Sequence, residues 1–175
     1  MWKKILSIIA LSYFFVLLQN SFFVHFNLIG AVPNLVFILF FLIIFFLGDK
    51  PSGSGLASGW NIIILAMITG FFLDIFSYTY IGPSIVILMA IGFLLKKIKI
   101  LLSDREGTPS LTYYLPLFIV SLLAYDLLIN IYLYFLDINK IIMIFDIKII
   151  IYIIYNCIFA TIAFFIYRRF FKSFP

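Results

Sequence analysis

Six apolar stretches, each close to the roughly 20 residues a helix needs to cross a bilayer's hydrocarbon core, dominate this chain of 175 residues. They fall at about residues 5–23, 31–47, 60–76, 80–95, 113–136 and 147–167. None shows the two-residue alternation of a membrane β-barrel strand, whose side chains point in turn to lipid and to lumen. The pattern predicts an all-α integral membrane protein, a bundle of six transmembrane helices forming one polytopic domain over residues 1–175. Composition agrees. Hydrophobic residues make up 66% and charged residues 11%, against about 45–50% and about 25% in soluble proteins. A water-soluble globule of this size could not bury that much apolar surface, which excludes a soluble enzyme, a nucleic-acid binder and a disordered chain. One cysteine, Cys157, and one histidine, His25, exclude a disulfide framework, a cysteine cluster and a multi-histidine site. No metal or other cofactor is expected.

Lys3 and Lys4 precede the first stretch much as basic residues precede a secretory signal. That stretch is longer than a usual signal core, and Asn20, Ser21 and His25 follow it instead of a small-residue cleavage site. A retained first helix is expected. Numbering the connections alternately puts ten of the twelve Lys and Arg on one side and only Lys140 and Lys148 on the other. Basic residues in short loops stay cytoplasmic, so both termini are expected in the cytoplasm, as an even number of spans requires. No Lys or Arg is expected in a span interior, Lys148 standing at the outer edge of span six.

The loops differ in chemistry. Residues 48–59 read GDKPSGSGLASG, a flexible linker of small residues. Residues 96–110 read KKIKILLSDREGTPS, which fits a continuation of span four or a short helix on anionic lipid. On the expected outer side, Ile138, Ile141, Ile142 and Phe145 recur at helical spacing between Asp137 and Asp146. They suggest an interfacial helix resting in membrane lipid, with Asp137, Lys140, Asp146 and Lys148 available to an extracytoplasmic partner.

Two carboxylates stand inside spans: Asp74 in span three and Asp126, deeper, in span five. A charge in hydrocarbon is costly, so such residues face a bundle interior and mark function or hold donors between helices. A proton or cation relay would need more than two scattered carboxylates without a basic partner. No Ser/His/Asp set or metal-ligand spacing points to an enzyme. His25 reads as an interfacial hydrogen-bonding residue. Gly55 and Gly59 form a GxxxG at the edge of the linker, whereas Gly70 and Gly92 inside spans suit close helix contact better. Pro33 and Pro83 suit the first turns of spans two and four, where a missing N–H is harmless.

A resemblance appears across spans two to four. Val32-Pro33-Asn34-Leu35 resembles the Pro-Asp-Leu opening of the second span in the rod shape-determining protein MreD family. Gly70-Phe-Phe-Leu-Asp74-Ile-Phe-Ser77, then Tyr80-Ile81-Gly82-Pro83-Ser84, resembles that family's Gly-x-x-x-Asp-x-x-Ser segment and the turn after it. Asn34 departs from the family's Asp, and the linker is richer in glycine and serine. The resemblance implies a non-enzymatic multi-pass subunit of the bacterial cell-elongation complex in the cytoplasmic membrane. Its implied partners are the single-span protein MreC, the actin-like MreB, and the peptidoglycan polymerase pair of RodA and a class B penicillin-binding protein. It also implies a bundle similar to the substrate-binding subunits of energy-coupling-factor transporters. A vitamin-type transporter subunit is therefore the alternative, distinguished by a polar and aromatic pocket at its outer face and by small-xxx-small helices, which span one lacks.

Overall fold

Apolar side chains on every side of a segment leave the backbone to satisfy itself, and the α-helix does this within one segment. The computed structural model describes residues 2–27, 30–47, 59–77, 80–103, 111–136 and 147–171. Over them the chain forms six α-helices and, among the described residues, no strand. These are α1 (Trp2–Leu17), α2 (Leu35–Leu47), α3 (Gly59–Phe76), α4 (Pro83–Ser103), α5 (Leu111–Phe135) and α6 (Ile147–Phe171). Three stretches are long and apolar enough to cross a membrane: Ile5–Phe23, Leu111–Phe135 and Ile147–Arg169. Leu35–Phe46 and Asn61–Phe76 are shorter apolar helices.

Helix α2 is the hub. It touches each of the other five helices, while α1, α3, α4, α5 and α6 form an arc around it in which neighbours α1–α3, α3–α4, α4–α5 and α5–α6 pack together. Its Val36, Phe37, Phe40 and Phe41 are fully buried. Phe41 meets Tyr114 and Phe118 of α5 edge-on, with ring centroids 5.3 and 5.2 Å apart, and Phe46 packs on Phe164 of α6 at 5.3 Å. Lipid tails are as apolar as these rings, so van der Waals fit rather than exclusion of water holds such helices together. Aromatic pairs add about 0.5–1.5 kcal/mol each beyond area. At the far end of α2, the Lys99 ammonium of α4 donates to the Phe45 carbonyl and lies over the Phe45 ring, meeting one of the last carbonyls that a helix leaves without a partner.

Several expectations change in detail. The stretch 31–47 was expected to be helical throughout, but α2 begins only at Leu35 and has 13 residues, a length of about 20 Å against a core of about 30 Å. Pro33 lies ahead of the cap residue Asn34, not in the first turn, and residues 30–34 run to α2 outside any helix. Span four continues as one helix to Ser103, which settles the choice for residues 96–103. The first helix ends in a π-helical turn over Leu18–Phe23 that carries Phe23 onto Tyr155 and Phe159 of α6. Lys148, counted with the outer side at the edge of span six, sits in the first turn of α6, within an apolar stretch. Gly55, Asp137, Lys140 and Asp146, with the expected interfacial helix, lie outside the described residues.

Candidate functional site

The end of the bundle where α1, α3 and α5 finish and α2, α4 and α6 begin holds most of the buried polar side chains. Asp74 is fully buried near the last turn of α3. Its Oδ2 accepts from the Gly82 N–H at 2.6 Å, and its Oδ1 from the Ser84 N–H at 3.1 Å. Both donors belong to the start of α4, whose first amides have no intrahelical partner. Gly82 opens the helix: its carbonyl accepts the Val86 N–H at 3.1 Å, and Pro83 follows as the first helical residue. Asp74 is thus an N-terminal cap supplied by the preceding helix, with its negative charge at the positive end of the α4 dipole. Gly82 has a φ of +126°, a conformation that favours glycine. One turn before Asp74, a Cβ on Gly70 would stand 2.7 Å from the Ile85 backbone, so the two helices touch main chain to main chain. Gly92 stands against α3 and α2, where its Cβ would meet Cγ2 of Ile62 at 2.6 Å and Cδ1 of Ile44 at 3.1 Å. Gly70, Asp74, Ser77, Gly82 and Pro83 together form one lock between α3 and α4, Ser77 donating back to the Asp74 carbonyl at 3.2 Å.

A second set of bonds carries the layer around the arc. Ser84 Oγ and the Tyr125 hydroxyl share a hydrogen bond of 2.8 Å, joining α4 to α5. Beside Tyr125 in sequence, Asp126 receives the Tyr152 hydroxyl of α6 on Oδ1 at 3.4 Å. The Tyr152 carbonyl accepts Asn156 Nδ2 at 2.9 Å, and Asn156 Oδ1 accepts the Asn34 N–H at 2.8 Å. Asn34 caps α2 in turn, its Oδ1 accepting the Phe37 N–H at 3.0 Å, while Gln19 Oε1 of the π-helical turn accepts the Leu35 N–H at 3.1 Å. Asparagine serves a helix N-cap as well as aspartate does, so the departure at Asn34 leaves this capping role intact. His25 donates from Nδ1 to the Ser21 carbonyl at 2.8 Å, a local bond one turn back along the chain.

The two carboxylates differ. Asp74 has both oxygens engaged, whereas Asp126 is largely buried and its Oδ2 has no hydrogen-bond partner among the described residues. Two cavities flank the non-helical run before α2. One, of 310 Å³, lies among Gln19, Asn20, Asn34, Phe76, Tyr125 and Asn130. The other, of 380 Å³, is lined by Ala31, Asp126, Lys148 and Tyr152. Non-helical backbone at membrane depth is tolerated where it is buried or lines such a space. Sequence reasoning singled out the acids but assigned no role to Gln19, Ser84, Tyr125, Tyr152 or Asn156. Their signal was present as uncharged polar groups inside apolar runs, yet spacing along one helix cannot show a partner on another. Comparison with protein-family models, curated proteins and solved structures finds no match.

Proposed function

We propose that this chain is a non-enzymatic, multi-pass subunit of the bacterial cell-elongation complex, scaffolding an MreC-like single-span protein and the peptidoglycan polymerase in the cytoplasmic membrane. In this reading six spans cross the membrane with both termini cytoplasmic, and the bundle is similar to energy-coupling-factor substrate-binding subunits. Where α2 falls short of the hydrocarbon thickness, the five residues 30–34 add about 16 Å if extended. The observation that carries the proposal is the α3–α4 lock. The polar and glycine positions at the centre of the resemblance serve helix packing and capping: Gly70 admits the Ile85 backbone, and both Asp74 oxygens hold amides at the start of α4. A rigid hairpin built this way suits a protein whose work is to present helix surfaces, with association set by close packing. Co-purification with an MreC-like protein from membranes tests the reading; failure of the two to associate at native expression overturns it.

The alternative, a small-molecule-binding subunit of a vitamin-type transporter, draws support from the 310 Å³ cavity with its amides and aromatic rings. That volume is at the lower end of ordinary ligand pockets, about 300–1,000 Å³. Tight binding of a riboflavin- or biotin-sized ligand, with indifference to the MreC-like protein, would establish it instead.

A further inference from the structure

The lock and the capping layer leave Asp126 under-used. It is 9% exposed, its Oδ2 has no donor among the described residues, and its Oδ1 receives one long bond of 3.4 Å. A carboxylate in so apolar a bundle is costly unless it meets hydrogen-bond donors or a cation. Beside it is the open 380 Å³ crevice between α5 and α6, whose lining also includes Gly30, Ala31 and Val32. The same crevice is lined by Lys148. An acid and a base therefore share one crevice without bonding each other.

That pairing selects the ligand. A simple anion would suit Lys148 but meet the Asp126 carboxylate, and a simple cation would suffer the reverse. An apolar group would leave both charges unmet. A molecule carrying an ammonium and a phosphate or carboxylate satisfies both. Lys148 stands four residues before Tyr152, the hydroxyl donor to Asp126, so the two side chains leave the same face of α6 about one turn apart. A compact zwitterion whose charges are separated by two methylenes can reach both groups within one crevice, with the flexible stem of Lys148 adjusting to it. On either side of Lys148, Ile147 and Ile150 are 62% and 59% exposed, an apolar surface that lipid can reach.

We propose that the crevice between α5 and α6 binds a zwitterion of the phosphoethanolamine type, its ammonium on Asp126 and its phosphate on Lys148. The chemistry is shared by a phosphatidylethanolamine headgroup and by free phosphoethanolamine, and the proposal does not depend on the scaffold reading. The full chain, purified in detergent and delipidated, is titrated with phosphatidylethanolamine or phosphatidylcholine, and retained lipid is counted by native mass spectrometry. The quaternary ammonium of phosphatidylcholine has no N–H for Asp126. Loss of one charge-assisted hydrogen bond makes its expected retention about tenfold weaker. Asp126→Asn, which keeps the shape and removes the charge, lowers that preference several-fold. Lys148→Ala weakens both lipids, and Lys97→Ala, an exposed lysine on the remote part of α4, changes neither. Displacement by millimolar free phosphoethanolamine identifies the free zwitterion as sufficient; retention against it identifies the lipid as the ligand. Equal retention of the two lipids by the unmodified protein overturns the proposal however the variants behave, as does a preference that survives both Asp126→Asn and Lys148→Ala.

Discussion

Replacing Asp74 separates a capping role from a role for charge in turnover. Its carboxylate is fully buried and holds two α4 amides, Gly82 and Ser84. Asp74→Leu is close in size but leaves both N–H groups without an acceptor. Each buried unmet donor costs about 1–3 kcal/mol, so the pair costs about 2–6 kcal/mol. Asp74→Asn keeps one acceptor oxygen and loses the other, a cost of about 1–3 kcal/mol, and forfeits about 0.3–1 kcal/mol of charge–dipole attraction at the α4 terminus. The expected order of stability is unmodified, then Asn, then Leu. The assay is thermal unfolding of the detergent-solubilised chain, followed by the reaction rate of Cys157, which lies partly buried in α6 and is the chain's single thiol. In the proposed scaffold reading, complex formation with an MreC-like protein should fall in the same order, because it would need the same folded hairpin. Equal melting of the Asn and Leu variants would refute the capping argument. Equal and complete loss of function in both, with folding intact, would mean that the charge itself acts.

Gly70→Ala should destabilise by about 1–3 kcal/mol, because its Cβ meets Ile85 backbone that has no room to yield. Gly92→Ala should also destabilise, by about 1–3 kcal/mol, because its Cβ would meet Cγ2 of the buried, β-branched Ile62 at 2.6 Å, offset in part by a gain of up to about 1 kcal/mol in helix propensity; Gly70→Ala, which meets backbone, should be the worse of the two in comparative unfolding. The Tyr114 hydroxyl is buried without a partner among the described residues, so Tyr114→Phe should raise stability by about 1 kcal/mol through removal of an unmet polar group, visible as a higher melting temperature. In intact cells, Cys157 should resist a membrane-impermeant maleimide and react once the membrane is dissolved; rapid labelling beforehand would contradict a membrane-embedded α6.

Helix number and the positions of the lock residues were legible because they follow from local features. Long apolar runs must close their own hydrogen bonds, and Gly82-Pro83 punctuates the chain wherever it occurs. The shortness of α2 was not legible. Val32 to Leu47 is apolar apart from Asn34, so hydropathy extends the span backwards. The helix nevertheless starts at Leu35, because the Asn34 side chain takes the Phe37 amide and Asn156, 122 residues away, takes the Asn34 amide. The same limit hid the difference between the acids. Asp74 and Asp126 look alike in an apolar run, and only the packing of α4 against α3, and of α6 against α5, gives one of them two donors and the other a single long bond. Lys148 counts with the outer side because it borders the loop before span six, and only the packing of α6 on α5 brings it to the crevice that Asp126 lines.

The capping layer and the two cavities have a common cause. A central helix of 13 residues cannot traverse the bundle that its longer neighbours build, so its N-terminus opens well below their ends. The amides exposed there must be met at that depth, and Gln19, Asn34 and Asn156 meet them from three elements. The chain must also reach that point without helical geometry, and a run of residues 30–34 fills less volume than a helix would. The space left on its two sides forms the cavities, one lined by amides and aromatic rings, the other by Asp126 and Lys148. Scaffold and ligand-binding readings therefore meet at one structural decision, the short central helix, and the α3–α4 lock holds the wall against which it stands.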